Sequence, residues 1–381
     1  MSPLYSAPLS KMVALGDKNE YIEHGKGKLL FYLSKILLHS EKRFRMTYKK
    51  PHVPTRFFDA FCKRIPDLSG KTFAITGTTT GTGRVATEAI AQQGGRVIML
   101  NRPSQRAVAV QSAMDKRFAD GRVTTIECDL QSFASVRLAA QHVEEACREG
   151  GLYALINNAG IMAMPDEATE DGFDTQMQTN HLSHFLLTQA LMPLLERATE
   201  HHGDARIVNH SSMARKGVKA LEAKYLEPRG GELGGNGASM IFQGARWVRY
   251  SQTKLANVAF TAALHERLGK AGSKVKALVA HPGWANTELQ VTTSRAGGMA
   301  AWNSIFARFM SQSEEDGTLG ILSCAVLPEA QSGEFWGPGL GMSSSKGEAK
   351  AYALEAEYDN PETRKLLWDK SCEATGVDFD L

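Results

Sequence analysis

Short apolar runs alternate with longer amphipathic stretches between residues 70 and 280. The apolar runs predict strands at 71–76 (KTFAIT), 96–100 (RVIML), 123–127, 153–157 (YALIN), 206–211 (RIVNHS) and 274–280 (KVKALVA). The stretches with helical periodicity lie at 83–93, 104–117, 131–148, 175–199 and 247–269. Short strands that alternate with helices require right-handed crossovers. The pattern therefore predicts an α/β fold, a parallel sheet with helices on both faces.

A basic segment precedes this alternating region. Residues 1–70 contain 13 Lys/Arg and 6 Asp/Glu, so the positive charge of the chain belongs to them. The apolar run at 29–38 is about half of the roughly 20 residues that span a bilayer, and Lys35 interrupts it. We predict a basic extension, residues 1–69, with an amphipathic helix. That helix either packs on the main domain or contacts an anionic membrane surface through residues 26–50, and an organelle-targeting role stays open.

The overall composition is ordinary for a soluble globular protein. Of 381 residues, 43% are hydrophobic and 22% are charged, and a net charge of +3 gives no reason to expect a nucleic-acid partner. The five cysteines form no CxxC pair, which favours reduced thiols. We find no secretory signal. The sequence thus predicts an intracellular protein, cytoplasmic or peripheral on an organelle membrane, and not a secreted one.

A glycine-rich turn follows the first predicted strand directly. Residues 76–83 read TGTTTGTG, with the spacing GxxxGxG, and Arg84 comes next. Glycines let a backbone turn tightly and approach a pyrophosphate, and the following helix N-terminus supplies amide donors. The alternative is a glycine-rich turn without a ligand. Its place between a first strand and a first helix favours dinucleotide binding.

Tyr250 and Lys254 stand four residues apart near the start of the last long helical stretch. Positions i and i+4 share one helix face, so both side chains can point into one site. A nearby ammonium lowers the pKa of a phenol, about 10 in isolation, and suits the tyrosine to proton exchange. Taken alone, the spacing also fits a solvated helix face.

Further motifs follow in a fixed order. NNAG occupies 157–160, Asn180 lies in TNHLSHF, Ser212 ends RIVNHSS, and HPG at 281–283 precedes Thr287. Together with the glycine turn and the Tyr/Lys pair, they make the segment from about 70 to 290 resemble the short-chain dehydrogenase/reductase family. Within it, NHLSHFLLT, YSQTKLAN and HPGWANTEL are most similar to the retinol-dehydrogenase-like and WW-domain-oxidoreductase-like branch.

The resemblance implies a Rossmann-like, doubly wound parallel sheet and a catalytic tetrad. Tyr250 would exchange a proton with the substrate oxygen, and Ser212 would hydrogen-bond that oxygen where negative charge develops. Lys254 would lower the tyrosine pKa and hold the nicotinamide ribose. Asn180 would position a water that links Lys254 to solvent. We predict the dehydrogenase domain at residues 70–330.

The same resemblance assigns a cofactor site, and no metal site is predicted. The assigned residues are Gly77, Thr79, Gly81, Thr82, Gly83, Arg84, Asn101, Arg102, Asp129, Leu130, Asn158, Ala159, Gly160, Tyr250, Lys254, Pro282, Gly283 and Thr287. Asp129 either contacts the adenine or caps the helix that starts near residue 131. His181 and His184 are interpreted as packing or polar contacts rather than metal ligands.

The end of the second strand decides between the two nicotinamide cofactors. A carboxylate there would bind a ribose 2′-hydroxyl and select NAD. Here the strand ends Leu100-Asn101-Arg102, and no carboxylate occurs between Glu88 and Asp115. Arg102 can pair with a 2′-phosphate, and Arg84 can add a second positive contact. We therefore predict NADP(H) rather than NAD(H).

Several features concern the substrate. The aromatic residues Trp284, Trp302, Phe306, Phe309 and Trp336 favour a large apolar substrate, although core packing explains them equally well. Ser212 and Tyr250 lie 38 positions apart, longer than usual in the family, so the glycine-rich insertion around 230–237 must loop out. The C-terminal extension or lid region, residues 331–381, includes EFWGPGLGM (334–342), which we predict to cover the site.

These observations predict an NADP(H)-dependent oxidoreductase that interconverts a carbonyl and an alcohol on an apolar small molecule. Two alternatives stay open: a light-dependent enzyme similar to protochlorophyllide reductase, and a non-enzymatic, membrane-peripheral scaffold that binds nucleotide. The resemblance also implies a homodimer or tetramer packed through the helices at 175–199 and 247–269.

Overall fold

The predicted alternation is realised as strands and helices in the same order. The computed structural model describes residues 50–240, 242–299, 311–340, 345–355 and 359–381. The strands are β1 Thr72–Thr76, β2 Arg96–Asn101, β3 Val123–Glu127, β4 Ala154–Asn157, β5 Ala205–His210, β6 Val275–Ala280, β7 Glu334–Leu340 and β8 Lys346–Ala353. The α-helices are α1 Phe58–Cys62, α2 Gly81–Gln92, α3 Gln105–Arg117, α4 Phe133–Cys147, α5 Thr175–Met177, α6 Ser183–His202, α7 Ala245–Ala271, α8 Glu288–Arg295, α9 Glu314–Val326 and α10 Pro361–Thr375. Between α5 and α6 lies a π-helical turn, Gln178–Leu182, and two 3₁₀ turns, Met213–Gly217 and Ala223–Tyr225, follow β5.

The strands form one sheet in the order β3-β2-β1-β4-β5-β6-β7-β8. All neighbours up to β7 pair in parallel, and β8 is antiparallel to β7. This confirms the predicted α/β fold with a doubly wound, Rossmann-like sheet. The strand order reverses between β1 and β4, and ligands of such sheets bind beyond the carboxyl ends of the strands at that point.

The two last strands were not predicted. We expected 334–342 to cover the site, but Glu334–Leu340 forms β7 inside the sheet, and residues 341 and 342 lie outside the described ranges. The segment was not predicted as a strand because glycine and proline are uncommon in strands. Only Phe335 and Trp336 of β7 pair with β6. Pro338, which has no backbone N–H to donate, therefore lies beyond the part of β7 that is hydrogen-bonded to β6.

Two hydrophobic layers enclose the sheet. One is built with α4, α6, α7 and α10, and the other with α1, α2 and α9 and part of α3. Phe61, Ile65 and Leu68, which belong to the predicted extension 1–69, pack into the second layer. The domain boundaries stay predictions, and the basic apolar run at 29–38 lies outside the described residues.

The C-terminal helix α10 covers part of α6 and α7. The rings of Trp368 and Phe379 pack edge-to-face against Phe185, with ring centres 5.3 Å and 5.4 Å away, and Trp368 lies 6.2 Å from Phe260. These are the helices through which we predicted a homodimer, which stays a prediction. Within the described ranges, no helix combines the length and the apolarity needed to cross a membrane.

Candidate active site

In the turn between β1 and α2, glycines without side chains lie at the edge of the sheet where the strands have their carboxyl ends. Gly77 has a left-handed φ of 69°, and a Cβ on it would lie 2.8 Å from the Cβ of Ala159. A Cβ on Gly83 would lie 2.4 Å from both the Gly77 carbonyl oxygen and Asn158 Nδ2. Because a side chain fits at neither position, these glycines allow the turn and α2 to pack tightly against the NNAG loop.

The amino end of α2 offers open backbone N–H groups. Thr80 occupies the N-cap position without a side-chain cap hydrogen bond, and the first turn contains no acidic residue. In contrast, Ser104, Ser132 and Ser313 cap α3, α4 and α9 with their hydroxyl groups. Open amides together with the helix dipole favour an anion, as the glycine spacing predicts for a pyrophosphate.

Asn158 locks the glycine turn to the end of β5. Its Nδ2 donates to the carbonyl oxygens of Thr76 (2.8 Å) and Gly77 (3.1 Å), while its Oδ1 accepts from Thr82 Oγ1 (2.8 Å) and lies 3.1 Å from His210 Nδ1. Because Oδ1 only accepts, His210 Nδ1 carries a proton. Burial lowers the pKa of His210 to about 3, so the ring is neutral. Its Nε2 has no partner among the described residues.

The end of β2 carries the predicted cofactor selectivity. Asn101 is bound to the glycine turn: its Oδ1 accepts from Thr78 N (2.8 Å) and its Nδ2 donates to Thr78 Oγ1 (2.7 Å). Arg102 lines the cavity, and so does Arg106, which sequence reasoning missed although it lies in the first turn of the next helix. Within the described part of the chain, neither arginine has a carboxylate within 4.0 Å.

Two other predicted cofactor contacts take different places. Arg84 is not part of the cavity lining, and its Nε donates to Glu88 over 3.0 Å on the surface of α2. Asp129 lines the cavity and accepts from Gln131 N over 2.9 Å. The alternative in which Asp129 caps the next helix is wrong, because α4 begins at residue 133 and Ser132 is its cap.

Tyr250, Ser212 and Lys254 meet in the cavity. Ser212 and Tyr250 both line it, the Ser212 side chain acts to lower the pKa of the Tyr250 phenol, and Lys254 Nζ lies 5.8 Å from the centre of the tyrosine ring. Tyr250 and Lys254 are each 4% exposed. Helix α7 supplies both residues, and Ser212 follows β5, so the three groups share one wall.

Burial is the largest cause of the pKa shifts of Tyr250 and Lys254. It raises the pKa of Tyr250 to about 12, although the Ser212 side chain opposes the rise. It lowers the pKa of Lys254 to about 8. The expectation that Lys254 lowers the pKa of Tyr250 below its ordinary value is therefore not met in this structure, because desolvation outweighs an ammonium at this distance.

Asn180 lies in the π-helical turn beside the cavity rather than in its lining. Its Oδ1 accepts from Ile161 N (2.8 Å), and its Nδ2 donates to Ile161 O and Thr253 Oγ1 (both 2.9 Å). A Cβ on Gly160 would lie 3.2 Å from Asn180 Oδ1 and 3.3 Å from Lys254 Nζ. The asparagine thus braces the loop next to Lys254, and its own amide is fully engaged.

The two histidines that follow Asn180, His181 and His184, make polar contacts in the core. His181 Nε2 lies 2.8 Å from Ser371 Oγ, and His184 Nε2 lies 2.9 Å from Thr76 Oγ1. Burial lowers the pKa of His181 to about 3 and that of His184 to about 4, so both rings are neutral.

One cavity of about 1250 Å³ joins these elements. It is lined by nearly all predicted cofactor residues, namely Gly77, Thr79, Gly81, Thr82, Asn101, Arg102, Asp129, Leu130, Asn158, Ala159, Gly160, Tyr250, Lys254, Pro282, Gly283 and Thr287. The predicted residues missing from the lining are Gly83, Arg84 and Asn180. A single drug-sized ligand occupies roughly 300–1,000 Å³, so this volume suits a dinucleotide together with a substrate.

The part of the cavity around Tyr250 is largely apolar. Met162, Trp247 and Leu289 pack with Tyr250, and Met213, Met240, Trp284 and Met299 also line the cavity. Of the aromatic residues proposed for the substrate, Trp284 is in this wall and Trp336 packs in the core instead. Trp302, Phe306 and Phe309 lie outside the described residues.

Comparison with known proteins agrees with this geometry. The family model described as short chain dehydrogenase matches residues 71–225. Human retinol dehydrogenase 13 is 32% identical over 330 residues, 83% of this chain and 88% of that protein. Human polyprenol dehydrogenase is 30% identical over 312 residues, 82% of this chain and 87% of that protein.

A solved structure extends the similarity to the fold. The crystal structure of an uncharacterized protein from Mycobacterium paratuberculosis superposes with a TM-score of 0.61 and 30% identity, covering 87% of this chain and all of that one. The chain that contains this sheet, the glycine turn and the Tyr/Lys/Ser cluster is therefore similar to these proteins over most of its length. The protein belongs to the short-chain dehydrogenase/reductase family of oxidoreductases, in its retinol-dehydrogenase-like branch.

Proposed function

We propose that this oxidoreductase uses NADP(H) to interconvert a carbonyl group and an alcohol on an apolar small molecule. The observation that carries the proposal is the Tyr250 phenol, which shares a cavity with Ser212, Lys254 and the uncapped N-terminus of α2. A proton donor and an anion-binding helix end are the two parts that nicotinamide-dependent carbonyl chemistry needs.

The site fits a phosphorylated nicotinamide dinucleotide. The open amides of α2 suit the pyrophosphate, and the closeness of Gly77 and Gly83 to the NNAG loop leaves no room for side chains there. Arg102 and Arg106 would hold a 2′-phosphate, since planar guanidinium groups match phosphate oxygens. When bound, the cofactor supplies or accepts the hydride.

The chain's own residues would handle the proton. In the reduction direction the buried Tyr250 is fully protonated at neutral pH, because its pKa is raised to about 12, and it donates a proton to the substrate oxygen. The Ser212 hydroxyl hydrogen-bonds the same oxygen as negative charge develops. The Lys254 ammonium stabilises the phenolate left behind, and the enclosing apolar wall strengthens that attraction.

The substrate would be large and apolar because Met162, Trp247 and Leu289 pack around Tyr250, and further methionines line the same cavity. Methionine side chains are flexible and polarizable, so such a wall can adapt to an elongated or bulky molecule. Charged residues also line this cavity, among them Glu288 and Arg295 of α8, so the argument for an apolar substrate rests on the side chains packed around Tyr250.

A Tyr250→Phe variant tests the proposal. We expect the wild type to oxidise NADPH with members of a panel of retinoid, steroid, fatty-aldehyde and quinone carbonyls, in the dark. The variant should bind NADPH as the wild type does, measured by nucleotide fluorescence, and lose turnover. Turnover that requires light would support the protochlorophyllide-reductase-like alternative. NADPH binding without turnover of any carbonyl would support the scaffold.

A further inference from the structure

A strained turn lies at the mouth of the cavity, in the insertion that separates Ser212 from Tyr250. Gly244 N donates to the Ser239 carbonyl oxygen over 2.7 Å, closing a turn in which the fifth position is Gln243. Turns closed by this bond place the fifth residue in left-handed backbone, and glycine usually stands there. Gln243 adopts a left-handed φ of 47°. A residue with a side chain therefore occupies a position that favours glycine.

The surrounding structure imposes this conformation. A Cβ on Gly244 would lie 2.4 Å from the Gly237 carbonyl oxygen, so the turn is closely packed on its own insertion. Trp247 Nε1 donates to Ala238 O over 3.1 Å, and Arg249 Nη1 donates to Gly235 O over 2.9 Å. A residue keeps a strained backbone conformation only where surrounding contacts hold it, and such residues are frequent at functional sites.

Gln243 lines the cavity as a polar group beside an apolar wall. Met240 from the same turn and Trp247 from the first turn of α7 line the same cavity. The amide offers two donors and one acceptor oxygen, yet its side chain makes no hydrogen bond to the described residues. The adjacent Phe242 is 80% exposed and does not line the cavity.

We propose that Gln243 determines substrate specificity by hydrogen-bonding a hydroxyl group at the end of the apolar substrate remote from the reacting carbon. Gln243 precedes Tyr250 by seven residues, mostly in α7, which corresponds to roughly 10 Å along a helix axis. The substrate class is thus an elongated apolar carbonyl compound with a distal hydroxyl. This assignment rests on the proposed carbonyl reduction.

Two variants separate the effect of the Gln243 amide from the effect of its strained backbone. Gln243→Met keeps the length and the strain but removes the amide, whereas Gln243→Gly removes both. Phe242→Met is the matched control, because it changes the neighbouring residue outside the cavity. The probes are n-alkanals and the ω-hydroxyalkanals of the same chain length, reduced with NADPH, and the readouts are kcat/KM for each pair and Tm.

Because Gln243 is solvent-exposed, its amide exchanges water for the substrate hydroxyl, and we expect the wild type to prefer the ω-hydroxyalkanal by about two- to tenfold, the net effect of one hydrogen bond. Gln243→Met should lose this preference through a lower kcat/KM for the ω-hydroxyalkanal, and Phe242→Met should keep the preference. Gln243→Gly should also lose it while Tm rises, because glycine relieves the left-handed strain. Turnover without discrimination by the wild type, or a preference that survives in Gln243→Met, would overturn the role of Gln243. No turnover of either aldehyde would overturn the proposed function and this assignment with it.

Discussion

Lys254 donates a hydrogen bond from Nζ to the backbone carbonyl oxygen of His210 over 2.9 Å. The bond ties the helix that carries Tyr250 to the last residue of β5, two positions before Ser212. Lys254 is almost fully buried without a carboxylate partner among the described residues, and burial lowers its pKa to about 8. The charge on Lys254 therefore changes close to physiological pH.

This titration predicts an alkaline limb in the pH profile of carbonyl reduction. Because kcat/KM reports the ionisation of the free enzyme, it should fall about tenfold per pH unit above a pKa of about 8 as Lys254 loses its proton. Tyr250 cannot cause this limb, since its pKa is raised to about 12. In Lys254→Arg the guanidinium stays charged, so the limb should vanish while the maximal rate falls. A limb that remains in place in this variant would assign it to another group.

The second prediction concerns cofactor preference and the two arginines that follow β2, Arg102 and Arg106. Arg102→Ala and Arg106→Ala should each lower kcat/KM for NADPH by about 10- to 100-fold, the worth of a charged hydrogen bond, and leave NADH little changed. Arg84→Ala is the matched control, because Arg84 is held by Glu88 outside the cavity. A wild type that prefers NADH, or an Arg84 variant as defective as the other two, would refute the assignment.

Local patterns were sufficient to predict the fold and most of the candidate site. The glycine turn, NNAG and the Tyr/Lys pair each lie within a few residues, and strand periodicity places them all at one edge of the sheet. Arg84 was predicted as a second positive contact to the cofactor, yet its side chain lies outside the cavity lining for a geometric reason. Arg84 is the fourth residue of α2, and its side chain meets Glu88 four residues later rather than the cavity.

The features that were missed depend on contacts between distant segments. Strand β7 is recognisable only from its pairing with β6 and β8, since its glycines and proline read as a loop. The raised pKa of Tyr250 follows from burial, which a spacing of four residues does not reveal. The π-helical turn at Asn180 also has no sequence pattern of its own, although such turns occur frequently at functional sites.

A third prediction concerns the tight contact of α2 with the NNAG loop. Gly83→Ala would place a methyl group 2.4 Å from the Gly77 carbonyl oxygen and from Asn158 Nδ2, so the backbone must shift. We expect at least about tenfold weaker NADPH binding, measured by fluorescence titration, because the pyrophosphate cradle is displaced.

Gly269→Ala is the control for helix propensity. Gly269 lies in α7 with open space around its Cβ position, and alanine there should stabilise the protein by about 0.5–1 kcal/mol. Equal NADPH affinity of the Gly83→Ala variant and the wild type would show that the close contact is not needed for binding.

The fourth prediction concerns the buried charges that anchor the insertion. Arg249 Nε lies 3.1 Å from Asp174 Oδ2, and Arg249 Nη1 lies 3.5 Å from Asp166 Oδ2. The three side chains are at most 2% exposed. Asp166 also accepts from the backbone N–H groups of Leu233 and Gly235. One arginine thus connects α7, the start of α5 and the insertion.

Arg249→Met should lower the free energy of unfolding by about 3–5 kcal/mol, since two buried carboxylates lose their cation. The loss should depend on pH. Burial raises the pKa of Asp174 to about 6 even beside Arg249, and removal of the arginine raises it further. A carboxyl whose folded pKa is raised destabilises the fold when ionised, so the deficit should shrink below pH of about 6 and grow above it. Urea unfolding on either side of that pH measures the difference. Lys270→Met, which breaks the exposed pair with Glu266, should cost less than about 1 kcal/mol at both. A pH-independent deficit in Arg249→Met would mean that lost packing, rather than uncompensated charge, destabilises the variant.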